Sequence, residues 1–429
     1  MIISRPQGGY QLLTPLTECL CCGSNVLQRY LDLGMQPPPN AFNDGSIEPK
    51  KFPLETFVCC NCYHSQLGIA VSPNVLFSKY SYRTGVSVTL KAHYEELASQ
   101  AVAYTNNKAC SVLDIGCNDG TLLSAFKKLG LQTYGVDPCK VPDCSPDIDV
   151  FIEDYWRPRV IDSIINYKRF DVITGTNVLA HNSNPKEFLR CARQVISDDG
   201  IIVLEFPYAW DMLYKCEFDT IYHEHISYFT CTSFSALIRG LGLYVDDFMI
   251  VNIHGGSLRL YIKKCEVGTE DVRNCREFKI RKEFEQFSGL GRRQLYEGFQ
   301  CKVDQIKGWV REIIDQVSGT SMKVVGFGAS GKGTIFLNYC KVNLAYIVDE
   351  TPAKIGKYSP YNQTRIVGPD IARQDPDNLC FVIMAWNCMN ECISKICNIR
   401  SGRKRDMVLT YLPEVRLSQL TELLSRSLQ

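Results

Sequence analysis

Groups that titrate near neutrality are scarce in this chain: histidine occurs six times in 429 residues. Excess charge of either sign is missing as well. Lys and Arg number 47 against 46 Asp and Glu, for a net charge of +1, so no strong field exists to hold a nucleic acid or an anionic membrane surface. No uninterrupted apolar run reaches the roughly 18 residues of a membrane span. The N-terminus, MIISRPQGGYQLLTPLTECL, has no basic start followed by an apolar core, so no secretory signal is expected. These absences predict a cytoplasmic monomer with neither nucleic acid nor membrane as partner. The length, with 45% hydrophobic residues, allows about three domains with real cores.

Cysteine is what the chain has in excess, with 21 residues. In a reducing compartment thiols stay reduced, so organised cysteines are expected to bind metal, with no disulfides and no catalytic thiol. Cys19-Leu20-Cys21-Cys22 and Cys59-Cys60-Asn61-Cys62 each contain a C-x-x-C, separated by a Pro- and Gly-rich stretch. Two such turns supply four soft ligands, which satisfies tetrahedral zinc with no open position for water. The expected quartet is Cys19, Cys22, Cys59 and Cys62, with Cys21 and Cys60 as alternative ligands, in a small loop-rich module over residues 1–74.

The remainder reads as α/β: two doubly wound, Rossmann-like units follow the zinc-binding module. A helical lead-in (75–107) opens the first unit, 75–265. Strands are expected at Ser111–Ile115, Thr133–Val136, Phe170–Thr174 and Ile201–Glu205, with helices between them, in a parallel sheet. A charged helical connector covers 266–320, and the second unit, 321–429, begins at Lys323-Val-Val-Gly-Phe.

Each unit carries a glycine-rich turn. The first, Asp114-Ile-Gly116-Cys-Asn118-Asp119-Gly120, runs from a strand into a helix, and Asp137 closes the next strand, where a carboxylate can take both ribose hydroxyls. The turn carries an acid, which repels a pyrophosphate but suits the sulfonium and amino group of S-adenosylmethionine. Asp114, Gly116, Asn118, Asp119, Gly120 and Asp137 are the candidate cofactor contacts. The second turn, Gly326-Phe-Gly328-Ala-Ser330-Gly331-Lys332, matches G-x-G-x-x-G with Asp349 downstream. A phosphate-bearing ligand, a redox dinucleotide and a purely structural turn are all compatible with it.

Three of the histidines in the first unit stand out: His181, and His223 and His225 in Tyr222-His-Glu224-His225. If this piece is extended, Tyr222 and Glu224 face one way and the two histidines the other. Satisfied polar residues at a junction, a metal site of His223, Glu224 and His225, and a general base beside a developing oxyanion all fit.

Taken in order, these motifs resemble the sugar C-methyltransferases that act on nucleotide-linked 4-keto deoxysugars. The resemblance runs through the C-x-x-C pairs with L-G-x-Q-P, Y-x-Y-R-T-G-V-S at Tyr80–Ser87, D-I-G-x-N-D-G, Y-H-E-H, His254-Gly-Gly-Ser-Leu-Arg259, Gly328–Gly333 and Ala385-Trp-Asn387. It implies methyl transfer to sugar C3, with His225 removing the C3 proton and Tyr222 and Glu224 orienting the ring or stabilising the enolate. Asn177 and His181 would flank substrate and cofactor methyl, and Tyr80 or Tyr82 would reach in from the N-terminal side. His254 and Arg259 would contact the substrate. The C-terminal unit would hold the nucleotide diphosphate, a dTDP-linked sugar, through Gly328, Ser330 and Lys332. Two departures stand in the zinc module: Pro38-Pro39 replace Leu-Ala, and Tyr63 replaces glycine. An O-methyltransferase on a nucleotide sugar and a non-enzymatic zinc-ribbon protein are the alternatives.

Overall fold

The computed structural model describes residues 12–77, 85, 88–139, 147–164, 169–253, 255–403 and 405–427. Tyr80, Tyr82 and His254 lie outside them. Three principal sheets organise the chain, of four, seven and six strands.

The seven-stranded sheet is ordered Leu243–Val251, Ser257–Lys264, Ile196–Pro207, Phe170–Thr176, Ser111–Ile115, Gln132–Val136, Val150–Ile152. Ser111–Ile115 is buried along its whole length, as a central parallel strand covered on both faces must be. The chain order reverses on either side of this strand, and ligands bind at the carboxyl ends of strands at such a switch point. The sheet is not wholly parallel. Leu243–Val251 and Ser257–Lys264 pair antiparallel with each other, and Ser257–Lys264 pairs antiparallel with Ile196–Pro207. The alternating exposure of the first of them hid it from a search for buried parallel strands.

The N-terminal module is richer in sheet than its Pro and Gly content suggested. Leu27–Gln36, Phe52–Cys59 and Ser65–Leu67 form an antiparallel sheet whose fourth strand, Ser227–Tyr228, comes from the first α/β unit. His64 adds a side-chain contact, with Nε2 3.2 Å from Ser227 Oγ. Helices Glu270–Arg273, Arg276–Phe287 and Arg293–Ser318 lead to the six-stranded sheet, in which Arg416–Gln419 alone is antiparallel. Helix Gly331–Cys340 of this last unit packs back on the N-terminal module. Asn338 Nδ2 donates to the Met35 carbonyl at 2.9 Å, and Thr334 Oγ1 to the Pro39 carbonyl at 3.0 Å. No helix among the described residues is long and apolar enough to cross a membrane.

Candidate active site

A cavity of about 320 Å³ opens at the switch point, lined among others by Asp114, Gly116, Asn118, Asp137, Asn177 and His181. Gly116 turns the chain at φ +75°, and a Cβ there would come within 3.0 Å of Val178. Asn118 sits at φ +49° and donates its backbone N–H to Asp137 Oδ2 at 2.9 Å, while Cys139 N–H donates to Oδ1 at 2.8 Å. Asp114 is buried and accepts from Thr174 Oγ1 at 2.7 Å; burial pushes its carboxyl up to about 7. Asp119 and Gly120 do not line the cavity. Asp119 is turned back on the loop, accepting from Thr121 Oγ1 at 2.6 Å and Gly85 N–H at 2.8 Å, and Gly120 opens the helix at φ +79°. Asp154, Tyr155 and Trp156 also line the cavity and were missed. Their signal was an acid and two aromatics just beyond the strand Val150–Ile152.

His181 and His225 face each other beside this cavity, ring centroids 5.0 Å apart. The segment 221–226 is a turn and not an extended strand, so the alternating-face reading fails. Tyr222 and His225 lie on the same side, with Tyr222 Oη 2.8 Å from His225 Nε2. His225 Nδ1 lies 2.9 Å from the Thr220 carbonyl, which can only accept. In the neutral ring the proton is therefore on Nδ1, and Nε2 carries the lone pair. His181 is held neutral by burial, its pKa lowered to about 4, and its Nε2 has no partner among the described residues. His223 points elsewhere, donating from Nε2 to the Pro53 carbonyl at 3.2 Å. It shares no metal site with Glu224 and His225.

Glu224 is buried, and Asn40 of the N-terminal module donates to both its oxygens, at 2.9 and 3.1 Å. Burial pushes this carboxyl up to about 7. Sequence reasoning missed Asn40, which ends the triple-proline stretch. The same residue abuts the second glycine-rich turn: a Cβ on Gly331 would lie 3.2 Å from Pro39 and 3.4 Å from Asn40 Oδ1. In that turn Gly328 adopts φ +85°, Ser330 caps the helix by accepting from Gly333 N–H at 3.0 Å, and Lys332 lies over Trp386.

Arg259 does not reach an open site. Its side chain is fully buried, bonded through Nε to Glu205 at 2.8 Å, with Nη1 on Gln100 at 2.8 Å. Its strand Ser257–Lys264 is buried between neighbours, which leaves the guanidinium no route to a ligand. Glu205 also meets His93 at 2.7 Å, and its carbonyl accepts from Asn177 N–H at 2.7 Å. Burial raises the Glu205 carboxyl, but His93 and Arg259 together hold it below the usual range.

The four sulfurs of Cys19, Cys22, Cys59 and Cys62 lie within 4.8 Å of one another. Tetrahedral zinc places sulfurs roughly 3.8 Å apart for bonds of about 2.3 Å, and the closest pairs here, Cys19–Cys62 and Cys22–Cys59, are at 3.5 Å. The knuckles are alike. Gly23, at φ +77°, donates to the Cys19 carbonyl, and Tyr63, at φ +58°, to the Cys59 carbonyl. Tyr63 thus occupies a left-handed position suited to glycine, with its ring against Gly291. Cys21 is buried outside the quartet and Cys60 is exposed.

Three family profiles match consecutive parts of the chain: a zinc binding domain at residues 19–77, a methyltransferase domain at 90–247, and a C-methyltransferase C-terminal domain at 252–410. The C-methyltransferase NovU of Streptomyces niveus is 27% identical over 395 residues, 89% of this chain and 92% of NovU. This chain belongs to the S-adenosylmethionine-dependent C-methyltransferases. The ubiquinone biosynthesis O-methyltransferase of Rhodopseudomonas palustris is 31% identical over 97 residues, 22% of this chain and 38% of that protein. The plantazolicin methyltransferase BpumL, solved with SAH, shares 16% identity over 41% of this chain and 85% of its own, with a TM-score of 0.34.

The cofactors of this C-methyltransferase are S-adenosylmethionine and a structural zinc ion. The residues present fit both. The cavity is of ligand size and has Asp137 at the end of its second strand, and the cysteine quartet is closed around its centre.

Proposed function

We propose that this enzyme methylates C3 of a nucleotide-linked 4-keto deoxysugar through an enolate. The observation that carries the reading is the tautomer of His225: Nδ1–H is tied to the Thr220 carbonyl, so the lone pair on Nε2 is presented beside Tyr222 and His181. A carbon centre is not a nucleophile until a proton leaves it, and the C4 ketone makes the C3 proton acidic. His225 Nε2 takes that proton, and the C–H pair moves into the enolate. Tyr222, whose hydroxyl donates to Nε2 in the resting site, turns its proton to the C4 oxygen as charge builds there. Glu224, whose buried carboxyl holds its proton up to about pH 7, is in its protonated form a second donor to the sugar, and Asn40 fixes its carboxyl. S-adenosylmethionine supplies the electrophilic methyl group. Asn177 and His181 line both the cavity and the reacting side, and wall the enolate from water. The nucleotide diphosphate is assigned to the turn Gly328–Lys332 of the C-terminal unit, which meets the histidine turn at Asn40. The N-terminal zinc module, the methyltransferase unit and the C-terminal unit then each supply one wall of the site.

The test is incubation with a panel of dTDP-linked 4-keto deoxysugars and S-adenosylmethionine carrying a carbon-13 methyl group. A product methyl resonance in the C–CH3 range supports the reading, and one in the O–CH3 range replaces it with O-methylation. His225→Gln is expected to abolish turnover with S-adenosylmethionine affinity unchanged.

A further inference from the structure

The turn that carries His225 is fastened to the C-terminal unit at its other end. Asp219, one residue before the Thr220 carbonyl that orients the His225 ring, is fully buried. Its Oδ2 accepts from Trp386 Nε1 at 2.8 Å and from Tyr411 Oη at 2.6 Å. Both donors belong to the six-stranded unit: Trp386 follows the strand Leu379–Ile383, and Tyr411 follows Met407–Thr410. Above the Trp386 ring, 4.4 Å from its centroid, lies the ammonium of Lys332, in the first turn of helix Gly331–Cys340. Its charge acts on Asp219 and on neighbouring Glu217. Gly255 lets the backbone approach the same place; a Cβ there would lie 2.8 Å from the Trp386 ring and 2.9 Å from Glu217. Apolar residues would close such an interface at lower desolvation cost than a buried acid. The acid fixes direction instead, because two donors from one unit converge on one oxygen of the other.

We infer that Asp219, Trp386 and Tyr411 are positioning residues for the base: they hold the segment Phe218–Thr220 and, through the Thr220 carbonyl, the ring of His225. Docking of the C-terminal unit therefore aligns the base. Because Lys332 lies on Trp386 and next to the glycine-rich turn, a diphosphate bound at that turn acts on the same chain of contacts. The inference rests on the proposed roles of His225 and of the C-terminal unit.

Exchange of the C3 proton in D2O, followed by NMR with a dTDP-linked 4-keto dideoxysugar and S-adenosylhomocysteine in place of the methyl donor, reads the base step alone. Trp386→Phe and Tyr411→Phe each remove one donor and leave an aromatic ring in its place. Each is expected to slow exchange at saturating sugar about tenfold, the scale of a small misalignment, with S-adenosylhomocysteine affinity unchanged. Asp219→Asn retains an accepting oxygen and is expected to keep most of the rate, whereas Asp219→Leu loses it. Wild-type saturated rates in both Phe variants overturn the inference, whether or not their melting temperatures or KM values move. His225→Gln separates the two readings: if it exchanges at the wild-type rate the base assignment falls, and if it is silent while both Phe variants exchange at the wild-type rate, only the positioning role falls.

Discussion

Asn40 and Glu224, 184 residues apart in the chain, meet through one amide nitrogen that spans both carboxylate oxygens. Burial raises the Glu224 carboxyl from 4.5 to about 7 despite that contact. The folded chain therefore keeps this proton to higher pH than the unfolded chain does. The resulting stability is full below the unfolded value and is lost as pH rises through about 7. Glu224→Gln cannot ionise and should be more stable than the parent by about 3 kcal/mol at pH about 8.5, with no gain at pH about 4. Urea unfolding at the two pH values checks this. Equal differences at both would place Glu224 in a solvated setting.

Zinc analysis of the purified chain should give one ion per molecule. Cys19→Ser, Cys22→Ser, Cys59→Ser and Cys62→Ser should each weaken retention, while Cys21→Ser and Cys60→Ser retain the full complement. Chelation should also lower turnover, because Ser65–Leu67 pairs with Ser227–Tyr228, next to His225.

The cysteine spacing, the strand Ser111–Ile115 and the first glycine-rich turn could be read from the sequence because each is local: a ligand set within four residues, an unbroken buried strand, a turn before a helix. Asn40 on Glu224, Trp386 and Tyr411 on Asp219, and Arg259 on Glu205 could not. Each joins residues distant in the chain, and no periodicity records which buried charge meets which donor. Arg259 illustrates the cost of reading a motif without its partner: a charged residue at a site-bearing motif suggested a substrate contact, yet its guanidinium is paired inside the sheet. The Tyr222–His225 pairing was hidden for another reason, since a strand and a turn put the same four residues on different faces.

Arg259→Met should leave Glu205 buried without its cation and cost about 3–5 kcal/mol. Glu205→Gln combined with Arg259→Met should recover much of the loss. Chemical denaturation of the single and double variants measures both. A raised KM for the sugar with unchanged stability would return Arg259 to the substrate.

Asp137→Ala removes the carboxylate that two backbone amides hold at the cavity edge. S-adenosylmethionine affinity, measured by calorimetry, should fall about 10- to 100-fold, the range set by one or two charge-assisted hydrogen bonds. Undiminished affinity would move the ribose contact elsewhere.

Gly23→Ala tests the knuckle backbone alone, because no atom lies within 4 Å of the Cβ it would add. The left-handed φ should cost about 1–2 kcal/mol and weaken zinc retention in a chelator competition. An unchanged competition curve would show that the turn relaxes without disturbing the ligands.

The sharing of one sheet between Ser65–Leu67 and Ser227–Tyr228 also sets an order of events during synthesis. When the first C-x-x-C pairs have emerged, the strand that closes their sheet is still unmade, and an open backbone edge is exposed. The edge is sealed only after the first glycine-rich turn and five strands of the central sheet have been translated. Such long-range pairing is slow and leaves a template for wrong partners. A nascent chain that stalls within the central unit thus presents a zinc-loaded but unfinished module, which closes only when Ser227–Tyr228 arrives beside the histidine turn.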